Sequence, residues 1–181
     1  MNMAAAVAFA PEMGAEMDTV AFKNGMRRLA QPVAIATTME AGVRAGLVIS
    51  SFSSLSVDPP RITASIARTA GAYPLLRRSG VIAVNVLGAG HEALVRCFSS
   101  TTVKGEDRFA LGHWRQGRTG APVLDDAVSS FDCTISELID AGSHVIVIAD
   151  VVDVEGDAQR APLLYRDGGL TLAAPSVQGR A

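Results

Sequence analysis

Cysteine is scarce in this chain: Cys97 and Cys133 are the only two among 181 residues, and they form no pattern. That excludes a disulfide framework and points to a reducing, cytoplasmic setting. The three histidines, His91, His113 and His144, show no ligand spacing with each other or with the cysteines, so no metal site is expected. Charge is sparse too. Asp, Glu, Lys and Arg make up 19% of the chain and the net charge is -2, which implies neither nucleic acid nor an anionic membrane as a partner. No apolar run approaches the length of a membrane span. No Lys or Arg precedes Lys23, so the apolar stretch from Met3 to Ala10 lacks the basic start of a secretion signal. Residues 1–18 are expected to be a flexible tail and residues 173–181 a second one.

Apolar residues are what the chain has in excess. They make up 49% of it, with a mean hydropathy of +0.27. A chain of this length forms one domain, here residues 19–172, with a real core. So apolar a composition also predicts a buried subunit interface, and hence a homodimer.

Periodicity predicts the elements. Asp18 or Thr19 caps a helix whose apolar positions Phe22, Met26 and Leu29 follow i, i+4, i+7. Strands are expected at Val33–Thr38, Val43–Ser50, Arg61–Ala67, Val81–Leu87, Ser130–Leu138 and Val145–Val154. Short helices are expected at Tyr73–Arg78 and His91–Phe98. Ser99 to Gly120 reads as a long loop anchored by Trp114. The strands are separated mostly by turns, which argues for a mainly β (α+β) fold, an antiparallel barrel with a few short capping helices, over a doubly wound parallel sheet.

Two segments invite a functional reading. Gly46 to Pro60 (GLVISSFSSLSVDPP) places five serines among apolar residues and closes on a double proline, which forces an extended turn. Hydroxyls and free N–H groups leaving a strand suit an anionic or heteroaromatic ligand held by main chain. A Ser-rich loop satisfying its own backbone is the ordinary alternative, and local pattern alone favours it. The second segment, Gly88-Ala-Gly-His-Glu-Ala93, matches a dinucleotide fingerprint. It fails because no parallel strand ending in an acid follows; Glu106 and Asp107 are loop acids. Asn85, in an apolar strand, reads as a structural amide that must be fully hydrogen-bonded.

The order of the segments carries more information than any one of them. Phe22–Thr38 (FKNGMRRLAQPVAIATT), the serine run, Ile62–Thr69 (ITASIART), Tyr73–Gly80, Val81–Leu87, Glu92–Phe98, Arg108-Phe109, Trp114, Gly120–Leu124, Asp132-Cys133, Ala141-Gly-Ser-His144 and Pro162–Gly168 follow one another. This order resembles the flavin reductase-like family over roughly residues 19 to 172. The family consists of small Greek-key split barrels that bind FMN and supply reduced flavin to two-component monooxygenases.

The resemblance implies an NAD(P)H-dependent flavin reductase. It would take NADH or NADPH as hydride donor and FMN or FAD as acceptor, and it would pass reduced flavin to a partner oxygenase by diffusion. It places flavin along Arg44, Gly46, Leu47 and Val48, along Ser50 and Ser51, and along Ser65, Ile66 and Ala67. It places the phosphate tail near Gly71, Ala72, Cys97 and Phe98, with Arg68 either pairing with phosphate or standing as a surface arginine. Tyr165, Arg166, Asp167 and Gly168 complete the cofactor-binding set. His144 becomes the catalytic candidate, on the nicotinamide side of the ring, where an imidazole orients the donor or offsets charge on the reduced ring. Read without the resemblance, His144 satisfies a strand-end backbone group. The family commonly has threonine at Val48, glycine at Pro32 and serine at Gly71. Those departures leave open a non-catalytic or repurposed barrel that binds flavin or another planar ligand.

Overall fold

The computed structural model describes residues 17–157 and 159–174. Of the expected tails at 1–18 and 173–181, residues 1–16 and 175–181 lie outside the described residues. Among the described residues there are twelve strands: β1 (Gln31–Pro32), β2 (Ala34–Glu40), β3 (Val43–Ile49), β4 (Phe52–Ser56), β5 (Arg61–Ala67), β6 (Val81–Val86), β7 (Trp114–Gln116), β8 (Pro122–Leu124), β9 (Ser129–Ala141), β10 (His144–Gly156), β11 (Leu163–Arg166) and β12 (Gly169–Leu172). Three helices, α1 (Thr19–Arg27), α2 (Tyr73–Ser79) and α3 (Glu92–Ser99), and a 3-10 turn at Gly105–Ala110 complete the set.

Seven strands form one antiparallel sheet in the order β3-β2-β6-β9-β10-β5-β4. Its two outermost strands, β3 and β4, are joined only by Ser50 and Ser51. Two residues reach at most about 10 Å from strand to strand, so the sheet must curl until its edges meet. The N–H of Ser65 on β5 donates to the carbonyl of Ser51 at 2.8 Å and fastens that junction. The result is an antiparallel barrel, as the spacing of strands and turns predicts, split in the way the family resemblance implies.

Small residues fill the barrel: Ala34, Ala36, Ala64 and Ala149 lie among Ile62, Ile66, Ile82, Val84, Val145 and Val147. β2 is covered on its other face as well. Ile35 and the adjoining Val33 meet Leu94, Phe98, Phe109 and Leu124 under α3. Burial on both faces is why Val33–Thr38 reads as a continuous apolar run rather than an alternating one. Cys133 sits fully inside, where burial, and then the neighbouring Asp132 and Asp150, push its thiol up to about 12. It is a core residue and not a nucleophile.

Asn85 is fully buried on β6. Its amide donates to the Ile35 carbonyl at 3.1 Å and to Thr37 Oγ1 at 3.2 Å, and its carbonyl accepts from the Leu124 N–H and Ser130 Oγ, both at 2.9 Å. One side chain thereby ties β6 to β2, β8 and β9. Asn85→Leu strands several buried polar groups, each costing about 1–3 kcal/mol, and is expected to lower stability by about 3 kcal/mol or more in urea unfolding.

Two sequence expectations are corrected, and one hairpin is added. Phe52–Ser56 is a strand, hidden in the sequence because serines occupy both of its faces; it is an edge strand that pairs only with β5. Ser99–Gly120 is not one loop: it holds the 3-10 turn and β7, although Trp114 does anchor it, packing on Phe98 and Phe109 and donating to the Leu111 carbonyl at 2.7 Å. Residues 163–172 form the hairpin β11–β12 around Asp167-Gly168, both at positive φ. Asp-Gly between two apolar runs is a direct hairpin signal.

Candidate functional site

Two clefts open where the barrel is split. The first, of about 470 Å³, is lined by Gln31, Pro32, Ser50, Ser51, Phe52, Ser53, Thr63, Ala64, Ser65 and Ile146. The second, of about 600 Å³, is lined by Ala45, Gly46, Thr69, Gly71, Ala72, Ser100, Thr101, Lys104, Gly105 and Arg108. The same two segments run past both. β3 and the Ser50-Ser51 link lead from Ala45 to Ser51, and the chain from Thr63 to Ala72 runs the opposite way. From Gly46 to Ser50 is four residues of extended chain, about 13 Å. The two clefts lie along one pair of segments, and that shared groove of chain is long enough for one flat group with a tail.

Main-chain donors are open along the groove. Among the described residues no acceptor meets the N–H groups of Ser50, Ser51, Gly71 or Ala72. Gly71 has no heavy atom within 4 Å of where a Cβ would stand, so the backbone is open to close approach. Gly46 is different. A Cβ there would lie 2.7 Å from Phe98 Cε1 and 3.2 Å from the Ala36 carbonyl, and the Phe98 ring is held by edge contacts with Phe109. Glycine at 46 is what lets α3 close over β3.

Arg108 shapes the second cleft. Its guanidinium donates to the carbonyls of Val103 at 3.0 Å, Gly46 at 3.1 Å and Ser100 at 2.8 Å. Three bonds from one planar fork fix the Ser100–Gly105 wall against β3. Lys104 stands on that wall, exposed and without a carboxylate partner among the described residues. Sequence pattern marks neither Lys104 nor Arg108 as a ligand residue. The available signal was a lone lysine in a polar stretch just after a short helix.

His144 begins β10. Its register partner on β5 is Ala67, and Ile146 pairs with Ser65, so His144, Ile146, Ser65 and Ala67 share one outward face. Ile146 and Ser65 line the first cleft, which places His144 beside it. The imidazole is exposed, and Ser143 Oγ lies 2.9 Å from its Nδ1. Here a strand-end histidine does carry a local hydrogen bond, yet its other ring nitrogen is free of partners among the described residues.

Other expected site residues behave differently. Ser50, Ser51, Ser65, Gly46, Gly71 and Ala72 line the groove, and Ala67 adjoins it. Leu47 and Ile66 offer it main chain only, because their side chains pack in the barrel. Val48 packs against the outer cluster under α3, so its missing hydroxyl takes nothing from the groove lining. Phe98 is 2% exposed in the aromatic cluster, and Cys97 donates its thiol to the Arg108 carbonyl at 3.6 Å; Ser100 and Thr101 stand at the cleft in their place. Arg44 is committed to Glu106 and lies over the Phe109 ring at 4.5 Å. Arg68 pairs with Asp140, whose carboxyl its hydrogen bond, helped by the Gly142 N–H, holds below the usual range. That pairing favours the surface reading of Arg68. Tyr165 pairs with Gln31 in register, and Pro32 with Leu164, so the β11–β12 hairpin backs the lip of the first cleft. Pro32 stands on that lip, where its fixed φ stiffens the edge.

Residues 26–173 match the family model described as a flavin reductase like domain. FMN reductase (NADH) RutF of Agrobacterium fabrum is 42% identical over 151 residues, covering 83% of this chain and 86% of that protein. Among solved structures, a flavin reductase domain protein from Arthrobacter sp. FB24 is 30% identical with a TM-score of 0.78, covering 87% of this chain and 96% of that one. The NADH:FAD oxidoreductase SgcE6 of Streptomyces globisporus C-1027, solved with NAD and FAD fragments, is 27% identical with a TM-score of 0.81, covering 89% and 96%. The chain belongs to the flavin reductase-like family.

Proposed function

We propose that this protein is an NADH-dependent flavin reductase that binds FMN in the groove between β3 and β5 and passes the reduced flavin to a partner monooxygenase. The observation that carries the proposal is the groove itself: N–H groups without acceptors among the described residues along it, serine hydroxyls at one end, Lys104 at the other, and His144 on the face beside the first cleft. That lining fits a flat heteroaromatic ring with a phosphorylated tail. When bound, the flavin supplies the redox chemistry, taking a hydride from the nicotinamide. The chain's own residues bind and orient. Ser50, Ser51 and Ser65 present donors to the polar edge of the ring, and Pro32 and Ile146 bound the cleft with apolar surface. Lys104 offers a cation to the phosphate, and His144 positions the donor. The free thiols of Cys97 and Cys133 suit a cytoplasmic setting. The names of the curated relatives favour FMN and NADH over FAD and NADPH. NADH consumption that requires added FMN tests the reading.

Lys104→Ala is expected to weaken FMN binding by about tenfold, the lower end for a hydrogen bond to a charged group, because the lysine is exposed. Riboflavin, which lacks the phosphate, should bind both forms equally in a fluorescence-quenching titration. Equal loss for both ligands would place Lys104 outside the phosphate site.

The second proposal concerns assembly. No residue of α1 is buried, and Phe22 on it is 59% exposed; Val57 and Val154 stand 87% and 53% exposed on the barrel. So much apolar surface fits cover by a second copy in an isologous pair. Light scattering at micromolar concentration should give twice the 18.8 kDa chain mass. A strictly monomeric mass would remove the proposal.

A further inference from the structure

One corner of the molecule gathers cations from distant parts of the sequence. Arg27 ends α1, Arg28 caps it, and Arg166 ends β11. The N–H of Asp167 donates to the Arg27 carbonyl at 2.8 Å, which fixes the hairpin against the helix end. Lys23 lies one turn before Arg27 on the same side of α1. Asp167, 3.4 Å from Arg166, is the carboxylate that these contacts bring to the corner. Four cations against one acid stand out in a chain whose net charge is -2.

Elsewhere six arginines are paired, while Arg77, Arg96, Arg108 and Arg118 meet no carboxylate among the described residues. Arg44, Arg61, Arg68, Arg78, Arg115 and Arg160 each meet a carboxylate. Among the described residues Arg27 and Arg28 meet none. Basic residues at a helix C-terminus complement its dipole, and that accounts for Arg27 and Arg28. It does not account for Arg166, which arrives from another strand.

The corner adjoins the first cleft. Gln31 and Pro32 form its lip, and Arg28 precedes Gln31 by three residues, at most about 10 Å of chain. We infer that Arg27, Arg28 and Arg166 bind the pyrophosphate of the hydride donor while its nicotinamide end enters the cleft. The inference rests on the reading of the chain as a nicotinamide-dependent flavin reductase. The chemistry is apt: a pyrophosphate sits one ribose away from the nicotinamide, carries two negative charges, and accepts from guanidinium donors. It is common to NADH and NADPH, so no preference between them is required.

The test compares NADH with reduced nicotinamide riboside, a donor without phosphate, at saturating FMN. In R27E/R28E the KM for NADH should rise about tenfold, and kcat/KM for the riboside should stay unchanged, which also shows that the variant is folded. Raising the salt concentration should lower kcat/KM for NADH in the parent and much less in the variant. If R27E/R28E does not fold, R27Q/R28Q gives the same readout with a smaller change. An unchanged KM for NADH, or an equal loss with the riboside, overturns the inference while the reductase reading stands. A parent that oxidises neither donor overturns both.

Discussion

His144→Ala is expected to lower kcat/KM for NADH by about tenfold or more while FMN affinity stays within about twofold. The strand register sets this expectation. His144 shares its face with Ile146 and Ser65, which line the first cleft, yet it is not itself part of the lining. A side chain so placed touches what enters over the cleft rather than what fills it. Hydride transfer needs the reacting atoms about 3–3.5 Å apart, and a displacement of about 1 Å can cost about a hundredfold in rate. The hydrogen bond to Ser143 offers a control. Ser143→Ala should cost far less, because it removes an orienting contact and leaves the ring in place. Steady-state constants unchanged in His144→Ala, at saturating flavin, would return the residue to a strand-end role.

The serine junction yields the second large effect. Ser51 spans from β3 to β4; its carbonyl is used by Ser65, and among the described residues its N–H has no acceptor. If that N–H holds the flavin, Ser51→Ala removes only a hydroxyl and should weaken binding by about 1 kcal/mol. Ser51→Pro removes the N–H and fixes φ, and should weaken binding by about 2 kcal/mol or more, roughly thirtyfold. Fluorescence quenching measures both, with thermal unfolding showing that the proline variant keeps its fold. FMN binding by both variants at the parent's affinity would put the ligand outside the serine cleft.

The sequence carried the barrel well where burial is regular. Arg61–Ala67 alternates buried and half-buried positions, and its strand has the expected bounds. β4 was not legible, because serine on both faces erases the period on which strand reading depends. The β11–β12 hairpin is legible in Asp167-Gly168, which carries the turn chemistry. At the site, serine density and segment order pointed to the groove. What they could not show is which way each side chain turns. Ile66 and Leu47 lie in the site by sequence but give their side chains to the core, and Phe98 spends its ring closing α3 over Gly46. Arg44 and Arg68 are taken by Glu106 and Asp140, partners set only by the closed fold. Lys104 stands out for the opposite reason, since its place is visible only once Arg44, Arg68 and Arg108 are seen to be engaged.

The central claim is that this groove turns over nicotinamide and flavin and is more than a flavin-shaped surface. Mixing the purified chain with NADH and FMN in air, and following the absorbance of the reduced nicotinamide, tests it most directly. The account predicts steady NADH consumption that saturates in both reactants and stops when FMN is left out. FMN bound with no NADH consumed would contradict it, and would leave a flavin-binding barrel without reductase activity.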